Sequence, residues 1–365
     1  MGFRCGIVGL PNVGKSTLFN ALTRAGVQAE NYPFCTIDPN VGMVEVPDQR
    51  LRKIAELVQP SRVIPAAMEF VDIAGLVSGA SRGEGLGNRF LAHIREVDAI
   101  AHVVRVFEDP DVSHVANQID PLSDIATVDT ELALADLETV ERALDKSLKG
   151  SKAGDKAQLQ MACLLERVRV WLDSGAPVRS MALAQMEQAA LKPLCLVTAK
   201  PVLYVSNVDE HDLDGGKGSS VAGVKAHAHN FGDELVLVSA RIEQEIAMLD
   251  HQERGVFLNE LGLAESGLDR VIRAGYTLLG LRTFFTAATK EARAWTITAG
   301  MTASAAAGVI HTDFERGFIR AETIAYDDFV ELGGEQGARD AGRLRLEGRD
   351  YVVNDGDIMH FRFNV

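Results

Sequence analysis

Short apolar runs alternate with helix-periodic segments through much of the chain. Phe3–Val8 is an apolar run of the length typical of a buried strand, and Leu18, Phe19, Ala21 and Leu22 follow at helical spacing. Further buried strands are predicted from later apolar runs: Ile100–Phe107, Val202–Ser206 and Leu235–Val238. Strand and helix patterns that alternate in this way predict an α/β fold, a mainly parallel sheet with helices on both faces.

Two helix-periodic segments occupy the long interval before the strand at Val202. Val128–Leu148 and about Ala157–Leu172 each repeat apolar residues at helical spacing, and the polar residues 149–155 between them are typical of a turn. The pattern predicts an antiparallel hairpin, a helical coiled-coil arm inserted into the sheet domain. Four lysines cluster at the tip of this hairpin: Lys146, Lys149, Lys152 and Lys156. They either keep an exposed turn solvated or contact an RNA backbone.

The last segment, from about residue 281 to 365, differs because helical periodicity gives way to short strand-like runs. Arg293–Thr298 is one such run, and Asn354–Asp357 has the composition of a turn between two others. Its arginines form either a local contact face or an ordinary ion-pairing surface: Arg316, Arg320, Arg339, Arg343, Arg345 and Arg349. Lacking cysteine and any catalytic cluster, the segment is predicted to be an interaction module.

Composition narrows the class of protein. The chain has 365 residues, enough for two or three domains, and 47% of them are hydrophobic. No uninterrupted apolar stretch reaches transmembrane length, and the first strand begins too near Met1 to leave room for a signal peptide. The net charge of −14 argues against general DNA binding through bulk charge. Four scattered cysteines without metal-ligand spacing fit reduced thiols. We therefore expect a cytoplasmic protein without a membrane segment.

Residues 9–17, Gly-Leu-Pro-Asn-Val-Gly-Lys-Ser-Thr, match the phosphate-loop pattern G-x-x-x-x-G-K-[ST] and stand between a predicted strand and a predicted helix. Gly9 and Gly14 let successive backbone N–H groups face a phosphate, and the helix beginning near Lys15 adds its positive end. Lys15 is predicted to reach the β- and γ-phosphates and to act in catalysis. The predicted nucleotide-binding residues here are Asn12, Val13, Gly14, Lys15, Ser16 and Thr17.

A magnesium ion is predicted beside this loop. The Ser16 hydroxyl is one expected ligand, and an aspartate such as Asp72, at the tip of an apolar strand, contacts the ion in phosphate-loop enzymes. Thr36 lies in a loop rich in proline and asparagine, and it is either a further ligand when a triphosphate is bound or a plain surface threonine. The glycine-rich segment after Asp72 is typical of a switch that orders around the γ-phosphate.

Longer phrases of the sequence resemble the Obg-like ATPase, or YchF, family, within the order of motifs found in translation-factor-type GTPases. They are Asn31-Tyr-Pro-Phe-Cys-Thr36, Asp72-Ile-Ala-Gly75, Gly83-Glu-Gly-Leu-Gly-Asn88, His311-Thr-Asp-Phe-Glu-Arg-Gly-Phe-Ile-Arg320 and Asn354-Asp-Gly-Asp-Ile-Met359. Because these phrases are spread along the chain, the resemblance covers essentially all of it.

The resemblance implies three domains and a partner. A P-loop nucleotide-binding domain of the Obg type would hold residues 1–127 and 200–280, with the coiled-coil insertion at 128–199. Residues 281–365 would form a TGS domain, a ubiquitin-like β-grasp. By the same resemblance the nucleotide is ATP and the partner is the ribosome, as the 50S subunit or the 70S particle.

Base recognition departs from the GTPase pattern. Ordinary members have Asn-Lys-x-Asp, whereas this chain has Asn207-Val-Asp-Glu210. Val208 lacks the cationic stem of the lysine, and the longer Glu210 should not place its carboxylate where the aspartate binds guanine. A carboxylate facing the acceptor nitrogen of adenine loses water and gains nothing. We therefore expect adenine to be favoured, with Asn207 and the Val208 backbone as contacts and Glu210 retained as a candidate. Ser239-Ala240 resembles the last nucleotide-loop motif.

Catalysis needs a positioned water. Leu76 occupies the place where many GTPases have a glutamine and cannot orient water, so slow intrinsic turnover is expected. The resemblance implies that His114 acts on the water, and the alternative is an exposed loop histidine. Asn12 makes a potassium ion beside the phosphates a further candidate cofactor. The sequence thus predicts a magnesium-dependent ATPase that acts as a switch; the alternatives are a GTPase that uses Asp209 or Glu210 and an ATP-bound scaffold with negligible turnover.

Overall fold

The protein is described by a computed structural model that covers residues 3–24, 40–73, 86–109, 112, 119–152, 154–213 and 219–364. By compactness the chain divides into two units, the first made of Met1–Ala25, Ile37–Gly42 and Glu69–Val271, and the second of Gly26–Thr36, Met43–Met68 and Ile272–Val365. Among the helices in the covered ranges, none has both the length and the apolar character needed to cross a membrane.

The strands in these ranges are β1 (Arg4–Val8), β2 (Val41–Glu45), β3 (Val63–Ile64), β4 (Ala67–Asp72), β5 (Ala99–Arg105), β6 (Val202–Asn207), β7 (Glu234–Val238), β8 (Leu281–Ala287), β9 (Ala292–Thr298), β10 (Phe318–Ile324), β11 (Arg345–Glu347) and β12 (Ile358–Phe363).

The helices are α1 (Lys15–Arg24), α2 (Gln49–Val58), α3 (Leu86–Glu96), α4 (Pro121–Lys152), α5 (Lys156–Asp173), α6 (Gln185–Leu191), α7 (Ser219–Phe231), α8 (Ala240–Ile246), α9 (His251–Glu260), α10 (Gly267–Leu278), α11 (Ala303–Ile310), α12 (Thr312–Arg316), α13 (Tyr326–Glu331) and α14 (Glu335–Asp340). Short 3-10 turns occur at Val178–Ser180, Lys192–Leu194 and Glu210–Asp212.

A sheet of six strands in the order β2-β4-β1-β5-β6-β7 supports the phosphate loop. The neighbours from β4 to β7 all pair in parallel, so their carboxyl ends meet at one edge of the sheet. Every residue of β5 and β6 is buried, as expected for central parallel strands covered on both faces. The predicted α/β fold with a mainly parallel sheet is confirmed.

The long helices α4 and α5 pack against each other as a hairpin around an apolar core that includes Val140, Leu165 and Val168. Helix α4 begins earlier and ends later than the sequence predicted, because its first residue, Pro121, suits a helix start and the predicted turn is helical as far as Lys152. The remaining turn is tight, since Gly154 has φ +88°.

Asp136 anchors this hairpin to the chain that leads into β6. Its carboxylate is fully buried and accepts hydrogen bonds from Val197 N at 2.9 Å, Thr198 N at 2.7 Å and the Thr198 hydroxyl at 2.6 Å. Three donors on one buried carboxylate offset the cost of removing it from water. The hairpin is therefore held at a defined place beside the strand that carries Asn207.

Asp129, also on α4, makes stability depend on pH. Burial raises the pKa of its carboxyl from 3.8 to about 6, with Arg179 opposing the shift and Asp233 adding to it. The folded protein therefore holds a proton that the unfolded chain releases between about pH 4 and 6, so this residue's contribution to stability falls as pH rises through that window.

We expect Asp129→Asn to raise the free energy of unfolding by about 1 kcal/mol at pH 7 and to change it little near pH 4, after discounting for the carboxyl's partial exposure. Urea unfolding of both proteins across this pH range measures the difference. Glu138→Gln, on an exposed side chain of the same helix, is the control and should give a flat difference curve. A D129N benefit that was larger at pH 4 than at pH 7 would contradict the assignment.

The second unit is built on a sheet with the order β11-β10-β12-β8-β9-β3. Strands β8 and β9 form an antiparallel pair, β12 runs parallel to β8, and β10 pairs with β12 in antiparallel fashion. Helix α11, nearly all small apolar residues, packs on β9 and β10. Residues 281–365 were predicted to be rich in strands, and they contain the helices α11 to α14 as well. Its assignment as a TGS domain stays a prediction.

The signature Asn354-Asp-Gly-Asp357 is a structural turn of this unit. Asp355 accepts from Thr283 N at 2.8 Å and pairs with Arg50 at 2.7 Å, while buried Asp357 accepts from the Tyr351 hydroxyl at 2.7 Å. Arg50 lies in α2, and β3 pairs with β9, so residues 43–68 belong to this unit. The domain boundaries predicted from the sequence stay a prediction, since compactness divides the chain differently and leaves the hairpin in the first unit.

Candidate functional site

The phosphate loop adopts a backbone that few side chains allow. Gly9 and Gly14 have φ values of +154° and +99°, and Asn12 has φ +62°. A Cβ atom on Gly9 would lie 2.4 Å from the Val103 carbonyl oxygen, so the loop passes directly over β5 and only glycine fits there. Helix α1 begins at Lys15, and its first N–H groups therefore border the loop.

Lys15 lies inside the loop with only 7% of its surface exposed. Its Nζ donates to the Leu10 carbonyl at 2.6 Å. Burial lowers the pKa of the ammonium group to about 8, and the nearby carboxylate of Asp72 opposes this shift. A buried cation beside one carboxylate, Asp72, is electrostatically prepared to receive an anionic ligand such as a phosphate.

Ser16, at the start of α1, and Asp72, at the end of β4, are the two described residues of the predicted metal site, and they lie next to each other. The Ser16 hydroxyl donates to Asp72 Oδ2 at 3.3 Å. Asp72 Oδ1 is buried and has no hydrogen-bond partner within the part of the chain that the structure describes. An unpartnered buried carboxylate oxygen beside a hydroxyl is a donor set that suits Mg²⁺.

Asn207 joins three parts of the site. Its Nδ2 donates to the Val13 carbonyl at 3.0 Å, and its Oδ1 accepts from Ala240 N at 3.0 Å, so one side chain connects the phosphate loop, β6 and the start of α8. A Cβ on Gly14 would lie 2.4 Å from this Nδ2, which explains the glycine. The bond to the Val13 carbonyl uses one of the two N–H donors of the amide group. The predicted contact of Asn207 with a base stays a prediction.

The three residues after Asn207 differ in the hydrogen bonds that they already make within the protein. The N–H of Val208, a residue only 2% exposed, donates to the Val238 carbonyl at 2.8 Å. Asp209 Oδ2 accepts from Glu108 N at 3.3 Å, while Glu210 is exposed at the start of a 3-10 turn. The carboxylate of Asp209 is thus tied to a neighbouring loop. Because the Val208 N–H is already bonded, the predicted backbone contact of Val208 with a base would have to use its carbonyl oxygen.

A cavity of about 1020 Å³ lies at this edge of the sheet. Eight of the predicted nucleotide-binding residues line it: Asn12, Gly14, Thr17, Asn207, Val208, Glu210, Ser239 and Ala240. Val13, Lys15 and Ser16 belong to the same loop but are not in the lining. Thr36, His114 and Leu76 lie outside the described residues, so the predictions made for them stay predictions.

Sequence reasoning missed part of the lining. Phe107, Glu108 and Asp109 follow β5, and Phe257 and Leu261 come from the region of α9. The place of Phe107–Asp109 in the cavity wall could have been predicted, because these residues directly follow a strand that neighbours β6. Residues from α9 carried no signal, since that helix has no motif and joins the cavity only through tertiary packing.

Comparison with known proteins was made against family models, curated proteins and solved structures. The model MMR_HSR1, described as 50S ribosome-binding GTPase, matches residues 4–138. The model YchF-GTPase_C, described as a protein of unknown function (DUF933), matches residues 281–364. The two matches together span both ends of the chain.

Curated relatives match over the full length. Ribosome-binding ATPase YchF of Haemophilus influenzae is 58% identical over 365 residues, and that of Bacillus subtilis is 54% identical over 366, with 100% of both chains covered in each case. The solved structure of the Schizosaccharomyces pombe YchF GTPase is 37% identical with a TM-score of 0.90, covering 99% of this chain and 98% of that one. As its motifs predicted, the chain belongs to the YchF family of P-loop nucleoside triphosphatases.

Proposed function

We propose that this protein is a magnesium-dependent ATPase whose nucleotide state acts as a switch for binding the ribosome. Water attacks the γ-phosphorus, the bond to the β–γ bridging oxygen breaks, and ADP and inorganic phosphate leave. The observation that carries the choice of ATP is the engagement of Asp209 by Glu108 N, together with Val208 in place of a lysine. The bond from Glu108 N occupies one acceptor position of the Asp209 carboxylate and directs this carboxylate toward the segment after β5, which disfavours the pair of hydrogen bonds that guanine needs.

The metal site proposed for this chain comprises Ser16, Asp72 and Thr36. The Ser16 hydroxyl and the unpartnered Oδ1 of Asp72 support it. When bound, the magnesium ion neutralises charge on the β- and γ-phosphates.

A potassium ion near Asn12 is a further proposal, supported by the exposed position of this asparagine in the phosphate loop. Equal ATPase rates in sodium and potassium buffers would contradict it.

The chemical step is proposed to depend on Lys15 and His114. Lys15 supplies a desolvated positive charge for the phosphates. His114 is proposed to act on the attacking water, because Leu76 cannot orient it. Turnover is expected to be slow alone and to rise with a partner or a loop movement, as in other switches of this class.

The ribosome as partner is supported by the names of the relatives, which are called ribosome-binding ATPases. The lysines near the hairpin tip are proposed contact groups, since they give a local positive face on a chain of net charge −14. The arginines of the last segment are the other proposed contact groups, and three of them, Arg339, Arg343 and Arg345, also pair with carboxylates of the same unit. Pelleting with ribosomes under ATP, ADP and no nucleotide tests this, and equal binding in all three states would contradict a switch.

Titration calorimetry of ATP and GTP, side by side with Mg²⁺, tests the nucleotide proposal. We expect tighter binding of ATP. The alternative enzyme is a GTPase, which the name of the S. pombe structure favours. Tighter GTP binding would establish this alternative and contradict the preference for adenine.

The alternative that is not an enzyme is an ATP-bound scaffold with negligible turnover. Wild type that releases no more phosphate than Lys15→Ala, compared alongside His114→Ala, would favour the scaffold.

A further inference from the structure

Arg105, the last residue of β5, is a buried cation outside every motif of the sequence. It is 1% exposed, and its three kinds of nitrogen bind three different carbonyl oxygens. Nε donates to Phe107 at 3.2 Å, Nη1 to Val112 at 3.1 Å and Nη2 to Asp109 at 3.2 Å. The guanidinium also lies over the Phe107 ring, 4.5 Å from its centroid.

The backbone that Arg105 holds is a wall of the nucleotide cavity. Phe107, Glu108, Asp109 and Val112 all line that cavity beside Asn207. Other bonds fasten the same wall to β6, since the Asn207 carbonyl accepts from Val106 N at 2.9 Å and from Phe107 N at 3.2 Å. Glu108 N is fastened in turn by the carboxylate after that strand, Asp209. The wall is thus held by two sets of bonds, one from the Arg105 guanidinium and one to the end of β6.

A buried guanidinium is expensive unless its donors are satisfied, and an apolar residue would fill the same space at lower cost. What only arginine provides is a rigid planar fork that binds several carbonyl oxygens of an irregular segment at once. A lysine has one compact nitrogen and cannot bind three oxygens at such different positions. The three carbonyls come from the segment that follows β5 and not from its neighbouring strands, so the fork acts on this wall.

We propose that Arg105 is a positioning residue for the nucleotide, fixing the wall formed by Phe107–Asp109 and Val112 against the base end of the cavity. The inference rests on the proposed function only in taking the occupant to be a nucleoside triphosphate. Positioning by Arg105 acts on the base and not on the phosphates, because the phosphate loop makes none of the three bonds to Arg105. Displacing the wall should therefore weaken binding of ATP while leaving binding of the bare triphosphate chain unchanged.

The test compares ATP with inorganic tripolyphosphate, which has phosphates but no base, by calorimetry with Mg²⁺. In Arg105→Lys we expect the Kd for ATP to rise about tenfold, because a lysine leaves carbonyl oxygens of the wall without a donor and the wall is no longer held in place. The Kd for tripolyphosphate should stay within a factor of about two of wild type, because the glycine loop and the start of α1 still bind the phosphates. Arg179→Lys is the matched control, because Arg179 is also an arginine of this unit with only 10% of its side chain exposed, but it pairs with Asp233 and does not line the cavity. It should lower stability without changing the ratio of the two Kd values.

Asp209→Ala provides a second approach if Arg105→Lys fails to fold. It removes the acceptor of Glu108 N on the exposed side of the same wall, and a smaller loss of ATP affinity, about threefold, is expected with tripolyphosphate again unchanged. Equal losses for ATP and tripolyphosphate, or no loss for ATP in a folded variant, would overturn the role of Arg105. Wild type that bound neither ligand would instead overturn the proposed function.

Discussion

Lys15→Ala is expected to reduce ATP hydrolysis by about 100-fold or more, which is the size of effect seen when one preorganised charge is removed from a developing transition-state charge. The reason lies in its surroundings. Lys15 is 7% exposed and its ammonium group donates to the Leu10 carbonyl, so little water needs to be displaced when a phosphate oxygen replaces that carbonyl as the acceptor. A charge held in this way interacts far more strongly than one in solvent.

The same burial predicts what happens to stability. An ammonium group desolvated in the loop is a cost in the folded protein, so the alanine variant should unfold at the same temperature or a higher one while activity is lost. Phosphate release and thermal unfolding, measured on one preparation, check the pair of expectations. Lys225→Ala, at an exposed position in α7, is the control and should keep full activity. Undiminished phosphate release in K15A would show that Lys15 does not serve the phosphates.

Local patterns in the sequence were enough to predict the framework of the site. The loop of residues 9–17 and the helix after it follow from a motif whose glycines are required by the backbone. Ser16 lies beside Asp72 because the loop after β1 and the end of the parallel neighbour β4 meet at the same edge of the sheet. Burial of β5 and β6 followed from uninterrupted apolar runs. These features depend on spacing along the chain, and spacing is visible in a sequence.

Long-range pairing was not visible. Residues 43–68 belong to the second unit because β3 pairs with β9 and Arg50 pairs with Asp355, contacts between parts of the chain more than 200 residues apart. The short helices α13 and α14 were missed because six residues give too little periodicity to detect. Arg105 was missed for a similar reason: its acceptors are backbone carbonyls, which any sequence offers.

Asn207 was predicted only as a contact for the base, and the structure shows that it also connects the phosphate loop to α8. We expect Asn207→Ala to lower ATP affinity by about 100-fold, equal to about 2.7 kcal/mol. The change removes the donor to the Val13 carbonyl and the acceptor of Ala240 N, both in a place where the side chain is 5% exposed. Each group left unpaired out of reach of water costs about 1–3 kcal/mol. The cost falls on binding because these bonds fix the phosphate loop against the start of α8, and the base loses the remaining amide N–H as well.

Two further variants separate this role from simple destabilisation. Asn207→Asp keeps an acceptor for Ala240 N but turns an oxygen toward the Val13 carbonyl, so ATP affinity should fall at least as far as in the alanine variant. Ser206→Ala, at the adjacent residue, removes a fully buried hydroxyl that has no partner among the described residues. It should leave affinity unchanged and stability equal or higher, because an unsatisfied buried hydroxyl is lost. Calorimetric Kd values that fell equally in S206A and N207A would mean that any disturbance of β6 weakens the site, and that the amide bridge has no particular part in it.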